Sequence, residues 1–262
     1  MAKTNDIRQH FKKIAHNYRL VRVTDPEPVD AVIAMLPHNH PEMSIIDIGC
    51  GTGRYTERII HEVPSRIRLL CVDLSHEMLN FCRLALNQNA KIIEKVFSVA
   101  SASFVPCKDL AADLVLAFNA IHHFDIMQFL GEAGRILKTN GLLAIYTRTP
   151  EQNRQTIWGR YFPKFAAKES RLVSLDKLEK MITASPQLRI EEIKFFDYLR
   201  HISPRKLREL ALAHHYSTFS LYSPDEFQDA LGIFERRIRE EFGDTTKIPH
   251  ISPNVLILAR KV

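Results

Sequence analysis

What the chain lacks narrows it first. Its 262 residues hold four cysteines, at positions 50, 71, 82 and 107, with no Cys-x-x-Cys pair. Neither a zinc ribbon nor a disulfide framework is indicated, so the thiols read as reduced, small apolar fillers and no metal constellation is expected. No apolar run approaches the ~20 residues that a bilayer-spanning helix needs. The N-terminal stretch carries Lys3, Arg8, Lys12 and Lys13 without a continuous apolar core, so no secretory leader is expected and a cytoplasmic location is the default. Lys and Arg number 36 against 30 Asp and Glu. That mild basic excess, with no long run of like charge, permits an anionic partner without demanding one. No internal repeat or low-complexity segment occurs. Glycine is sparse, nine in all, yet three of the nine fall at 49, 51 and 53.

Residues 45–60 read IIDIGCGTGRYTERII. Ile45, Ile46 and Ile48 form a β-branched run typical of a strand buried on both faces. The glycines make a tight turn, and helical spacing resumes at Tyr55. Strand, Gly-rich loop and helix are the first unit of a doubly wound α/β sheet, where a nucleotide-like ligand can meet backbone N–H groups and a helix N-terminus. A dinucleotide fingerprint needs glycine at the first, third and sixth positions, but the sixth here is Arg54. A phosphate-binding P-loop needs a Gly-Lys-Ser/Thr ending, which is missing. Asp47, just before the loop, would repel a pyrophosphate and suits a ligand bearing an amino group.

The loop resembles motif I of the class I S-adenosylmethionine-dependent methyltransferases, whose DxGxGxG turn holds the methionine part of the cofactor. The resemblance implies a Rossmann-like, doubly wound seven-stranded sheet, mostly parallel with strand seven antiparallel. It assigns cofactor contacts to Asp47, Gly49, Cys50, Gly51, Thr52 and Gly53. Upstream, Ile7, Phe11, Ile14, Ala15 and Tyr18 have helical spacing. The stretch FKKIAHNYRLVR is similar to the N-terminal helix that many small-molecule methyltransferases lay over the cofactor. Tyr18 and Arg22 stand where that family has a Tyr and an Arg, and Arg22 is suited either to the cofactor carboxylate or to plain solvation. Asp25 and Pro26 read as an N-cap and first helical residue. His38 and His40 read as loop residues.

A second strand, residues 68–73, ends in Asp73, 20 residues past Gly53. An acid there can accept both ribose hydroxyls of an adenosine. The following DLSHEML resembles the same family, with Ser75 as a helix cap and Leu74 and Met78 toward the adenine, although plain core packing accounts for Met78 equally well. After a third strand at 95–99 the chain departs from the family: the usual acid that accepts from the adenine amino group is Ser101, a weaker neutral acceptor, followed by Ala102. A fourth strand, 112–119, ends in Phe118 and Asn119 and runs into Ile121-His122-His123-Phe124. This resembles the family's ALHHF segment and puts His122 and His123 forward either as a general base or as shaping residues. Asp125 caps the next helix. That helix is expected to stop at LKTNG, where Asn140-Gly141 supplies a left-handed turn, before a fifth strand at 142–147. The resemblance spans residues 11–148.

Beyond Thr149 the motifs fade. Trp158, Tyr161, Phe162 and Phe165 form the densest aromatic cluster, with Trp158 and Tyr161 as substrate-binding candidates or as helix packing. Strands six and seven are expected at 188–199 and 254–260. Between them lies an insertion of helices at 204–216 and 224–242, each opened by Ser-Pro, expected as a helical cap. The chain thus reads as one methyltransferase domain over 1–262, with a core at 40–150 and substrate-cover segments at 1–24, 150–172 and 201–250. The expected activity is methyl transfer from S-adenosyl-L-methionine to the oxygen, nitrogen or carbon of a small-molecule acceptor, without a metal. The expected assembly is a monomer or homodimer with no membrane or nucleic-acid partner. The alternatives are an RNA or protein methyltransferase and a catalytically silent cofactor-binding partner. No appended RNA-binding module and no Asn-Pro-Pro-Tyr-like stretch after strand four supports the former.

Overall fold

Central strands of this chain are apolar almost throughout, as strands covered on both faces must be. Strand β4 (Ala112–Phe118) exposes no residue, and β1 (Glu42–Ile48) exposes only its first. In the computed structural model, which describes residues 23–37 and 40–262, seven strands form a sheet in the order β3-β2-β1-β4-β5-β7-β6. Strands β2 (Arg66–Asp73), β3 (Ile92–Val99) and β5 (Leu137–Thr147) pair in parallel with β1 and β4 or with one another. Strand β7 (Ile248–Lys261) runs antiparallel to β5, with Leu142 opposite Arg260 and Thr147 opposite Val255. Strand β6 (Leu188–Ile202) lies beyond β7. The doubly wound, mostly parallel sheet with an antiparallel seventh strand is therefore present. The expected N-terminal helix, with Tyr18 and Arg22, lies outside the described residues, as does His38.

Helix α1 (Glu27–Ala34) precedes β1, and α2 (Arg54–Glu62), α3 (His76–Ala85) and α4 (Ile126–Ile136) connect β1 to β2, β2 to β3 and β4 to β5. Ser75 caps α3 by accepting from the Met78 N–H at 3.2 Å, and Asp125 caps α4 by accepting from Gln128 N–H at 3.1 Å. Two expectations need correction here. Helix α1 begins after Pro26 without a side-chain cap, and buried Asp25 instead accepts from the hydroxyl of Tyr146 at 3.2 Å. Helix α4 stops at Ile136 with Leu137 already extended. The left-handed residue of LKTNG is Asn140 (φ 63°), and it lies inside β5, whose pairing with β4 shifts register between Ala112 and Leu114. A local turn signal thus serves a strand irregularity.

The described residues form two compact units. The larger holds Val23–Thr147, Leu175–Lys194 and Val255–Val262; the smaller holds Arg148–Ser174 and Phe195–Asn254. The larger unit also contains α8 (Leu175–Thr183). In the smaller unit are three short helices, α5 (Pro150–Gln155), α6 (Ile157–Tyr161) and α7 (Phe165–Lys168), followed by α9 (Pro204–Leu212) and α10 (Pro224–Phe242). Ser203 and Ser223 cap the last two through Lys206 and Glu226 N–H groups. Helix α9 is shorter than expected, because the chain turns at His214 (φ 47°) into a single 3-10 turn, Ser217–Leu221. Its aromatic core stacks Trp158 on Phe234 (centroids 5.0 Å, 22° between planes) and sets Phe219 edge-on to Trp158 at 5.2 Å.

Candidate functional site

In a parallel sheet, ligands meet the carboxyl ends of the strands where the strand order reverses, here between β1 and β4. Asp47 lies near the end of β1, 3% exposed. Its Oδ2 accepts from the Thr56 hydroxyl of α2, and its Oδ1 is buried without a hydrogen-bond partner among the described residues. Burial pushes its carboxyl up to about 7, opposed by the Thr56 hydrogen bond and reinforced by the nearby charge of Asp73. A buried carboxylate oxygen left unpaired is costly, so a cationic donor is the group this position lacks.

The three loop glycines have different tasks. All have positive φ. A Cβ on Gly49 would stand 2.5 Å from the Cβ of Ala120, and one on Gly53 would stand 2.6 Å from the Sγ of Cys82. Those two glycines let the loop seat against its own neighbours. A Cβ on Gly51 would meet nothing within 4 Å, so this glycine alone faces open space where a ligand can approach.

Four of the loop's N–H groups, those of Gly49, Cys50, Gly51 and Gly53, are engaged internally. Those of Gly49 and Cys50 both donate to the Val72 carbonyl, at 2.7 and 3.1 Å, and that of Gly53 donates to Cys50 O at 3.0 Å. Gly51 N–H donates to Asp73 Oδ2 at 2.9 Å, and Ser75 N–H to Oδ1 at 2.8 Å. These bonds hold Asp73 at the tip of β2. Burial raises its carboxyl pKa, and the Ser75 and Gly51 N–H groups act against that rise. The Leu74 N–H supports the same carboxylate. The site thus presents two carboxylates beside a loop most of whose N–H groups are already engaged. It repels phosphate and suits a ligand with an ammonium at one end and hydroxyl donors further along.

Around this pair the remaining predicted residues take distinct places. Thr52 is 1% exposed, and its hydroxyl has no hydrogen-bond partner. Leu74 is half-buried and Met78 is buried on α3. Ala102 is buried, whereas Ser101 is exposed and its hydroxyl accepts from Ser103 N–H at 3.2 Å, closing a small turn. Phe118 packs against Tyr55 and Tyr146, with centroids at 4.9 and 5.3 Å. Asn119 follows with φ 56°, its N–H donating to Tyr146 O at 2.7 Å, and it leads into a 3-10 turn that sets the rings of His122 and His123 4.0 Å apart, both half-buried. Trp158 lies in the aromatic core of the smaller unit, 4% exposed, and half-buried Tyr161 packs edge-on to Phe242 at 5.6 Å. Thr56, which orients Asp47, was missed in the sequence, although it stands one helical turn past Thr52 on the face turned to β1.

These features define a class: a Rossmann-like sheet whose first two strands each offer a carboxylate to a cationic, hydroxylated ligand. Residues 46–145 match the model of the methyltransferase domain family, so this part of the chain is a methyltransferase domain of the class I, S-adenosylmethionine-dependent type. Among its relatives is the malonyl-[acyl-carrier protein] O-methyltransferase of Geobacter sulfurreducens, 27% identical over 146 residues, which cover 55% of this chain and 53% of that protein. The chain spans about half the length of the curated relatives it matches. The fold is shared with a methyltransferase candidate of Bacillus halodurans (TM-score 0.63, 18% identity, 90% of this chain and 98% of that one). It is also shared with the [4+2]-cyclase SpnF (TM-score 0.58, 17% identity, 90% and 81%). No helix among the described residues is long and apolar enough to cross a membrane.

Proposed function

We propose that the chain transfers a methyl group from S-adenosyl-L-methionine to an oxygen, nitrogen or carbon of a small-molecule acceptor. The single observation that carries the reading is the Oδ1 of Asp47, buried without a partner among the described residues and close to a second carboxylate, Asp73, at a loop four of whose N–H groups are already engaged. Asp47 would hold the cofactor's ammonium, oriented by Thr56. Asp73 would accept the ribose hydroxyls, and Gly51 leaves the room between them. When bound, the cofactor supplies an electrophilic methyl on a sulfonium. The protein then needs to align the acceptor and exclude water. Asn119, His122 and His123, at the carboxyl end of β4, are the proposed groups for shaping that side of the site, and a histidine ring nitrogen is the proposed acceptor for any proton the substrate loses. The name of the Geobacter relative, an O-methyltransferase, supports oxygen among the three acceptor atoms.

Calorimetry with S-adenosyl-L-homocysteine tests the site. Removing two charge-assisted hydrogen bonds at a strand tip, as in Asp73→Ala, should weaken binding by about a hundredfold or more. Unchanged affinity would refute the assignment. Transfer of labelled methyl to extracts of small metabolites, but not to RNA or protein fractions, is the expected activity. The chemistry of the cyclase fold neighbour makes one other reading specific: tight cofactor binding with no transfer to any fraction would mark a silent or repurposed member.

A further inference from the structure

Four cysteines without a motif gave no reason to expect a ligand cluster, yet the fold gathers three. The sulfurs of Cys50, Cys71 and Cys82 are buried and all lie within 4.8 Å of one another. They come from three elements: the glycine loop, β2 and α3. Cys71 is the parallel-ladder neighbour of Asp47. Cys82 is the residue against which Gly53 is seated. Cys50 lies in the glycine loop and is partly exposed as a residue, although its sulfur is buried with the other two.

We propose that these three thiols form a three-coordinate site for a trivalent thiophilic metalloid, of which arsenite is the simplest source. Geometry supports the number of ligands. Three sulfurs bound at about 2.3 Å to a pyramidal trivalent centre stand about 3.4 Å apart, so the three thiols, already within 4.8 Å of one another, close by up to about 1.4 Å on a common atom. Among the described residues the cluster contains no fourth ligand, which disfavours structural zinc, an ion that wants four.

Charge selects the ion further. Three thiolates on a divalent ion leave a net negative charge buried close to Asp47, the ladder neighbour of Cys71, and to Asp73, two residues beyond it. A monovalent ion leaves more. Three thiolates on a trivalent centre leave none. The reaction balances without an oxidant: arsenous acid and three thiols give the tris-thiolate and three waters. Three As–O and three S–H bonds break, while three As–S and three O–H bonds form. The exchange buries no net charge. The site shares Cys50 with the glycine loop of the cofactor reading but uses neither Asp47 nor Asp73, so arsenite binding can be read out without any methyl-transfer assay.

The full chain, reduced with a phosphine and mixed with equimolar arsenite, should show by native mass spectrometry the gain of one arsenic and the loss of three hydrogens. Arsenic X-ray absorption should show three sulfur neighbours and no oxygen. Cys71→Ser and Cys82→Ser should lose the adduct, and Cys107→Ser should keep it. Should the buried-site variants fail to fold, Cys50→Ser, in the partly exposed loop, decides the matter with thermal melting as the control. The proposal is overturned by no adduct in the natural chain, by an adduct that survives Cys50→Ser, or by tighter retention of cadmium than of arsenite.

Discussion

Two buried carboxylates, one in each unit, look alike in the sequence and differ in what surrounds them. Glu169, in the smaller unit, is 6% exposed and fully engaged: Arg171 donates to both of its oxygens, at 2.7 and 2.5 Å, and the Thr218 hydroxyl donates as well. Asp47, in the larger unit, is 3% exposed and has one hydroxyl donor on one oxygen only. The first arrangement is finished within the chain and belongs to structure. The second is incomplete, and folding tolerates it because the ordered sheet around it outweighs the local cost. Function is to be sought where the chain leaves a buried polar group uncompensated, not where it buries charge as such.

The contrast breaks most visibly if Glu169 is altered. Glu169→Ala removes one partner of a buried, bidentate ion pair and should destabilise the protein by about 3–5 kcal/mol in chemical denaturation, while S-adenosyl-L-homocysteine affinity of the folded fraction stays unchanged. Asp47→Asn should act in the opposite sense. Its folded carboxyl is raised above the unfolded value, so the stability it contributes is present below about pH 4 and lost as pH rises toward about 7. The neutral amide removes that loss. Cofactor-free protein at pH 8 should therefore gain about 2–4 kcal/mol, with binding weakened at least tenfold by calorimetry. A smaller effect follows from the same titration. Because the ionised form pairs with an ammonium, affinity of the natural chain for S-adenosyl-L-homocysteine should rise by up to about tenfold per pH unit from pH 5.5 and level off above about 7; a flat profile would place the ammonium elsewhere. Smallest is Ser101→Asp. Restoring a charged acceptor at an exposed position should tighten binding only about threefold, a gain of under about 1 kcal/mol.

Much of the larger unit could be read directly because its signals are local. Ser75 and Asp125 cap helices where their side chains reach the third N–H, a distance set by the first turn alone. The same local signal works in the smaller unit, where Ser223 and Pro224 start α10 and the helix runs to Phe242 as its spacing predicts. Asp73 was found by its interval from the glycine loop, since one helix and one strand fill that interval in any such unit. The aromatic segment resisted the same reading. Trp158 has the spacing and chemistry of a pocket residue, but identical spacing serves a core, and stacking on Phe234, 76 positions away, is a non-local fact. Asn140 misled for a related reason: a left-handed Asn after a helical stretch signals a helix stop, but pairing with β4 claimed the preceding residues for β5.

What the amino-acid sequence determined by itself is the order of elements, the glycine turn with φ available only to glycine at small cost, and the two acidic positions at the ends of the first two strands. Tertiary structure decided which of those groups are left wanting. Only packing shows that Gly49 and Gly53 serve close contacts while Gly51 faces open space, that Thr56 takes one oxygen of Asp47 and nothing takes the other, and that Cys50, Cys71 and Cys82 converge. The reason is physical. Backbone conformation and capping depend on neighbours a few residues away, whereas burial, its electrostatic cost and the meeting of side chains from separate elements exist only once the sheet has closed over them.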